Sequence, residues 1–241
     1  MVDYWQELLY ENNKIGSVGK IYPNTEIKVA VDGELLLKGH NIMKGYYNNP
    51  EATKKDIVDG WFHTGDVGKV DEDGFVYITG RKKEIYVSSA GKNIPPLVIE
   101  ETMKSISLIS QCFLVGDDKK FCSALFTLDV GVILRDKVGI ELNKIPKDPI
   151  QQIRMLNENS LKLSDFTDNA DIFNEINNSV QKLNMEFYNP EQIKKFKILP
   201  RDFTIDDGEL TPTLKIRRKQ INENWSSLIE SMYTAETNNH G

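Results

Sequence analysis

Asp66 and Arg81 are the residues of this chain best suited to grip a vicinal diol. Asp66 closes the segment Trp61-Phe62-His63-Thr64-Gly65-Asp66, and Arg81 closes Phe75-Val76-Tyr77-Ile78-Thr79-Gly80-Arg81. Between them lies the acidic turn Asp71-Glu72-Asp73-Gly74. The runs 67–70 and 75–79 alternate in strand fashion around that Asp/Gly turn, so the spacing predicts a hairpin. With 71–74 as its loop, Val70 faces Phe75 and Asp66 faces Thr79. Arg81 then falls two positions farther along the same face, about 7–8 Å from Asp66 on the diagonal. A carboxylate can accept from both hydroxyls of a diol, and a guanidinium can donate from its planar fork. The same two residues equally suit a cross-strand surface ion pair worth ~0–1 kcal/mol. A one-residue slip in register would part them.

Two further groups could carry chemistry. Lys215 follows the Asp206-Asp207-Gly208 turn and sits just past Pro212, in a polar segment that reads as a mobile loop. A compact ammonium there can enter a site and balance developing negative charge, or it can be an exposed lysine at a helix start. Lys215, Arg217, Arg218 and Lys219 crowd the N-terminal end of the predicted last helix, where the macrodipole disfavours cations; this suggests an anionic visitor or, alternatively, flexible solvated ends. The second group is the small-residue loop Ser88-Ser89-Ala90-Gly91-Lys92. It permits close backbone approach, and its N–H groups could face an anion or an extended thiol arm; alternatively it is a tight hairpin.

The elements that must position these residues follow from periodicity. Residues 1–13 read as a short helix or a frayed end. Gly16 to Val31 alternates as a strand up to the Asp32-Gly33 turn, before a strand at 34–37. A short helix is expected over 50–59, opened by Pro50 and stopped by Gly60. Beyond a boundary at Arg81-Lys82-Lys83, Pro95-Pro96 opens a helix to about Ile106 with Val98, Ile99, Met103 and Ile106 on one side. A hairpin of 109–115 and 121–128 turns at Gly116-Asp117-Asp118-Lys119-Lys120. Residues 130–168 are polar and least readable, with a helix expected at 149–160. A clear helix at 169–187 carries the stripe Ile172, Phe173, Ile176, Val180, Leu183 and Phe187, which reads as core. A strand at 196–199, a loop at 202–214 and one last helix bearing Ile221, Trp225, Leu228, Ile229 and Met232 complete the chain. The fold class is α/β (α+β), with 1–82 strand-rich and 83–241 a short sheet flanked by helices. No internal repeat is present.

Composition excludes several classes. The 241 residues are 39% hydrophobic and 27% charged, enough for real cores. No run reaches the roughly eighteen apolar residues a membrane span needs, and the acidic N-terminus lacks signal-peptide form. The net charge of −6 is uneven: residues 1–80 hold thirteen acidic and eight basic side chains. No basic stripe interleaved with aromatics appears, which argues against nucleic acid. Cys112 and Cys122 fall on neighbouring predicted strands and read as reduced core residues in a cytoplasmic compartment, with weak peripheral contact at an intracellular membrane left open. His40, His63 and His240 are too scattered for zinc, and no metal site is expected.

Several words of the sequence occur in a telling order: Gly33-Glu34-Leu35-Leu36-Leu37-Lys38-Gly39, Met43-Lys44-Gly45-Tyr46-Tyr47, Trp61 to Asp66, Gly80-Arg81-Lys82-Lys83-Glu84, and Leu210-Thr211-Pro212-Thr213-Leu214-Lys215. In that order they resemble the C-terminal portion of an adenylate-forming (AMP-dependent synthetase/ligase) enzyme, over residues 15 to 233. Within the superfamily the likeness is to long-chain acyl-CoA synthetases of the bubblegum type. It rests on Ile78 to Ile85, Asn93-Ile94-Pro95-Pro96, Leu114-Val115-Gly116-Asp117 and Gly208 to Lys215, and on the long stretch from 130 to 190.

The resemblance implies a function: ATP and a long-chain fatty acid give acyl-AMP and pyrophosphate, and CoA then gives acyl-CoA. It implies that Asp66 and Arg81 hold the ribose of ATP or AMP and that Lys215 is the adenylation lysine. Ser89, Ala90, Gly91 and Lys92 would line the CoA tunnel, although relatives tend to have two glycines where this chain has Ala90-Gly91, and an acidic residue at Lys92. Lys83 would be the hinge about which a mobile C-terminal domain, 83–241, turns against the end of the large adenylation domain, 1–82.

Parts of the family machinery do not occur here. A Ser/Thr/Gly-rich phosphate loop ending in Lys is lacking, as is a Tyr-Gly-x-x-Glu-like segment for adenine and magnesium. Glu26 reads as a strand residue rather than a Mg2+ ligand, so Mg2+ would be held outside this chain, as would the fatty-acyl tunnel. The expected partner is the missing N-terminal adenylation half. The alternative is a non-catalytic remnant that binds nucleotide or a partner. Another branch, luciferase-like or carrier-protein adenylating, fits the 130–190 segment and the Thr-Pro-Thr-Leu-Lys ending less well.

Overall fold

The computed structural model describes residues 14–89 and 91–234. The helix or frayed end expected over 1–13 lies outside the described residues, as do Ala90 and His240. Two compact units are present. Of the described residues, one takes in those through Ile85 together with Pro95–Val98; the other takes in those from Tyr86 to Ile94 and from Ile99 onward.

The first unit is built on an antiparallel sheet of β1 (Thr25–Val29), β2 (Glu34–Gly39), β3 (Ile57–Val58), β4 (Trp61–Val70) and β5 (Val76–Arg81). Its order is β1-β2-β4-β3, and β5 also pairs with β4. Glu26 sits in β1 opposite Lys38, a strand residue as expected. Helix α1 (Pro50–Asp56) starts where the Asn49 side chain accepts from the Ala52 N–H and Pro50 supplies a preset φ. It stops at Asp56, short of the 50–59 expected, because Ile57 and Val58 are β-branched and pair with β4. Asp59 and Gly60, at φ +51° and +78°, make the two-residue turn that this short hairpin requires.

The second unit opens with the small hairpin β6 (Tyr86–Val87) and β7 (Asn93–Ile94), and α2 (Pro96–Met103) continues into it. Its centre is a three-stranded sheet ordered β10-β9-β8, comprising β8 (Ile109–Val115), β9 (Cys122–Leu128) and β10 (Ile193–Ile198). β9 is antiparallel to β8 and parallel to β10, and all seven of its residues are buried. Such a strand reads as a largely apolar run, interrupted here by Ser123 and Thr127, because both of its faces are covered.

The period-two alternation sorts these side chains into two cores. Cys112, Leu114, Ala124, Phe126 and Leu128 face one layer, packed with Ile99, Met103, Ile172, Ile176 and Val180. Phe113, Val115 and Leu125 face the other, with Phe203, Leu210, Ile221, Ile229 and Met232. Cys112 and Cys122 are free and buried.

The stretch that was least readable in sequence forms α3 (Val130–Asp136), α4 (Pro149–Glu158) and α5 (Ser164–Thr167), and α6 (Ala170–Asn184) follows. Asp129, Asp148 and Asn169 cap α3, α4 and α6 with side-chain oxygens. In the predicted stripe Phe173 is exposed, although its ring stacks on Phe196 at 4.7 Å. The single last helix expected from sequence is two, α7 (Arg218–Asn224) and α8 (Ser226–Thr234). They break at Trp225, whose indole N–H is turned to Glu209.

Candidate functional site

Arg81 Nε lies 2.9 Å from Asp66 Oδ1, with the two residues directly opposite each other across β4 and β5. The sequence places them on a diagonal, and two departures from the expected register correct that. First, the loop spans five residues, so Val70 faces Val76 rather than Phe75. The Asp71 carboxylate accepts from the N–H groups of Asp73 and Phe75, which closes the turn one residue late. Second, a bulge falls between Val67 and Gly68: Val67 faces Gly80 while Gly68 faces Ile78, leaving Thr79 as the extra residue. Each shift alone would turn Arg81 to the other face, and the two together restore it. Asp66 also borders a groove of about 200 Å³ lined by Val18, Leu35, Leu37, Val76 and Ile78.

Beside the pair lies a polar knot that sequence reasoning missed. Glu34 is 4% exposed, and its carboxylate accepts from the Gly65 N–H at 2.9 Å and from Lys82 Nζ at 2.9 Å, with His63 Nδ1 at 3.1 Å. Gly65 directly precedes Asp66 and Lys82 directly follows Arg81, so one buried carboxylate holds the neighbours of both. Burial by itself would raise the Glu34 pKa, but Lys82, His63 and the Gly65 N–H outweigh it and the net direction is down. Lys82 also meets Asp32 at 2.6 Å. Lys83, in the following short 3₁₀ turn, is exposed. The available signal was a glutamate opening the apolar run Leu35-Leu36-Leu37.

In the second unit, Lys215 stands on a formed hairpin rather than a loose loop. Thr211 N donates to Lys215 O at 2.8 Å, Arg217 N donates to Glu209 O at 2.8 Å, and Leu210 bridges Ile216. Leu214, at φ +59°, makes the turn. The Lys215 side chain is exposed and has no hydrogen-bond or ion-pair partner among the described residues.

Part of the crowding of cations beside it has an internal cause. Arg218 forks onto buried Glu100 with two contacts of 2.7 Å and also donates to the Tyr86 hydroxyl at 3.1 Å. Lys219 approaches Glu223 at 3.8 Å. The anion that Arg218 answers is therefore part of this chain, which corrects the inference of an anionic visitor for that residue.

The described residues of the 88–92 segment have their backbone donors engaged. Ser88 N donates to Lys92 O, Gly91 N to Ser88 O, Lys92 N to Ser88 Oγ and Ser89 N to Lys119 O. These N–H groups are consumed, so backbone donation to an anion is not what they offer. Gly91, at φ +72°, takes a conformation that suits glycine. The described residues contain no cluster of His, Cys, Asp or Glu able to hold a metal ion.

The family of AMP-binding enzyme C-terminal domains matches residues 150–237. The long-chain-fatty-acid–CoA ligase FadD15 of Mycobacterium tuberculosis is 42% identical over 229 residues, which are 94% of this chain and 35% of that protein. The chain belongs to the adenylate-forming, AMP-binding enzyme family. It matches the C-terminal part of these enzymes and spans about a third of the length of the curated relatives.

The adenylate-forming likeness extends to the human long-chain-fatty-acid–CoA ligase ACSBG1, which is 34% identical over 92% of this chain and 32% of that protein. Among solved structures, the A domain of carboxylic acid reductase from Segniliparus rugosus, in complex with AMP and a co-purified carboxylic acid, superposes at a TM-score of 0.63 with 19% identity. That match covers 92% of this chain and 34% of the other. O-succinylbenzoate coenzyme A synthetase from Bacillus subtilis, in complex with ATP and magnesium ion, gives 0.56 with 23% identity, over 90% of this chain and 37% of that one. At these identities the two structures establish the adenylate-forming fold.

Proposed function

We propose that this chain supplies the C-terminal third of a long-chain fatty acid–CoA ligase acting in the cytoplasm, with peripheral contact at intracellular membranes. ATP and a fatty acid form acyl-AMP and pyrophosphate; CoA thiolate then displaces AMP to give acyl-CoA. The observation that carries this reading is the Asp66–Arg81 pair, which lies on one face within the ordered set of family words.

Asp66 accepts from the ribose hydroxyls while Arg81 fixes its carboxylate and donates from its remaining N–H groups. Lys215 brings a positive charge to the carboxylate and α-phosphate as the acyl phosphate bond forms, acting through charge rather than proton transfer. Ser89, Ala90 and Gly91 shape the approach of the CoA thiol by their small volume, with Lys92 beside them on the same tunnel, and Lys83 is the hinge between the two half-reactions. By the family resemblance Mg2+ would be held by residues of the N-terminal portion of the complete enzyme.

The test joins this chain to the N-terminal two-thirds of a related ligase and substitutes Lys215→Ala. Acyl-AMP formation should fall about 10²-fold or more, and an unchanged rate would overturn the assigned role. Titration calorimetry of the chain alone should give no measurable binding of AMP or CoA. Micromolar affinity would favour a self-sufficient binding module instead.

A further inference from the structure

The Lys215 hairpin is staked at its base by a polar cluster with no part in the chemistry proposed above. Glu209 is 0% exposed, yet its carboxylate takes five hydrogen bonds. Arg201 gives two, at 2.7 and 3.0 Å. The Trp225 indole gives one at 2.8 Å, Asn224 one at 3.1 Å and the Thr204 N–H one at 3.2 Å. Arg201 also lies over the Trp225 ring at 5.1 Å. Through its backbone Glu209 donates to Thr204 O and accepts from Arg217 N, which is the first rung of the ladder leading to Lys215. The donors come from the segments on either side of the hairpin, so a single carboxylate gathers the irregular segment Arg201–Thr204 that leads into it and the α7–α8 break that follows it.

We infer that Glu209, with Arg201 and Trp225, is the positioning group of the Lys215 hairpin and holds the lysine at a fixed place on its unit. The ammonium is then delivered by movement of the unit as a body, not by a loop that searches. A side chain whose work is electrostatic must be held to within about an ångström, since a displacement of that size can cost about 10²-fold in rate. The inference rests on the assignment of Lys215 given above, and its test separates the two.

Amide hydrogen exchange is measured on the chain itself, as wild type and as Glu209→Gln and Trp225→Phe. Glu209→Gln removes the charge and sets an amide donor against the existing donors, while Trp225→Phe deletes a single hydrogen bond and keeps a ring. Protection of the Thr211, Lys215 and Arg217 amides should fall about tenfold or more in Glu209→Gln and by a smaller factor in Trp225→Phe. Protection of β8 and β9 should hold. Unchanged hairpin protection in a folded Glu209→Gln overturns the inference; should that variant not fold, unchanged protection in Trp225→Phe does so.

In the joined enzyme, Glu209→Gln should lower acyl-AMP formation at least about tenfold and leave thioester formation from added acyl-AMP within about twofold. Equal loss of both half-reactions overturns the positioning role. Lys215→Ala, run alongside, reports on the function separately: if it leaves acyl-AMP formation intact, the assignment of Lys215 fails whatever the exchange data show.

Discussion

Asp66 and Arg81 meet at 2.9 Å only because two one-residue register shifts, at the turn and at the Thr79 bulge, compensate each other. The Arg81 side chain remains 59% exposed, so solvent screens the contact and it adds little to the stability of the fold.

Removing the pair should therefore hardly affect stability. Asp66→Ala and Arg81→Ala are each expected to cost less than ~1 kcal/mol in urea denaturation, as for other solvent-screened pairs. In the joined enzyme the same variants should raise the KM for ATP about tenfold or more. A loss of several kcal/mol would show the pair to be structural.

Gly68 should prove irreplaceable for a different reason. A Cβ there would stand 2.1 Å from the Tyr77 carbonyl oxygen and 2.9 Å from Leu35 Cδ1. Gly68→Ala must push β4 and β5 apart beside the bulge, at a cost of about 1–3 kcal/mol. Urea unfolding checks the energy. Wild-type stability in this variant would mean that the strands are not held so closely.

Arg218 and Glu100 form the buried counterpart of the exposed clamp, with side-chain exposures of 17% and 4%. Arg218→Ala strands a buried carboxylate and should cost about 3–5 kcal/mol. Arg218→Lys, which cannot fork onto two oxygens, should lose part of that. Equal stability of the lysine variant and the wild type would show the bidentate geometry to be idle.

Acid should act through carboxylates whose pKa shifts run in opposite directions. For Glu209 burial pushes the pKa up, but Arg201, Asn224, the Thr204 N–H and Trp225 outweigh it, so the folded value lies below the unfolded one. Its contribution is present above the unfolded value of about 4.3 and is lost as pH falls through the folded value. Glu34 behaves alike. Asp202 is the reverse: burial raises its pKa despite hydrogen bonds from Thr127 and Ser110. Its stabilisation is full below about pH 3.9 and fades as pH rises through the folded value. Between pH 5 and 3, Glu209→Gln should lose stability less steeply than wild type and Asp202→Asn more steeply, as read from urea midpoints. Parallel slopes would refute both signs.

Local pattern carried much of this molecule. β8, β9 and α6 were legible because apolar periodicity reports which face is buried, and the start of α1 because Pro50 marks it whatever the helix packs against. The order of Asp66, Arg81 and Lys215 along the chain, and the family they point to, also lie in the sequence. What it could not contain were facts set by partners distant along the chain. Ile57 and Val58 leave the helix because β4 offers them a ladder. The last helix breaks because the Trp225 indole N–H finds a carboxylate sixteen residues earlier. Arg218 is balanced by Glu100 across 118 residues. The register that brings Asp66 to Arg81 depends on a bulge and on a side-chain hydrogen bond inside the turn, each of which shifts pairing by one. Periodicity records burial averaged over a segment. A single residue of slip, or a single buried charge, is decided only when the segments have packed together.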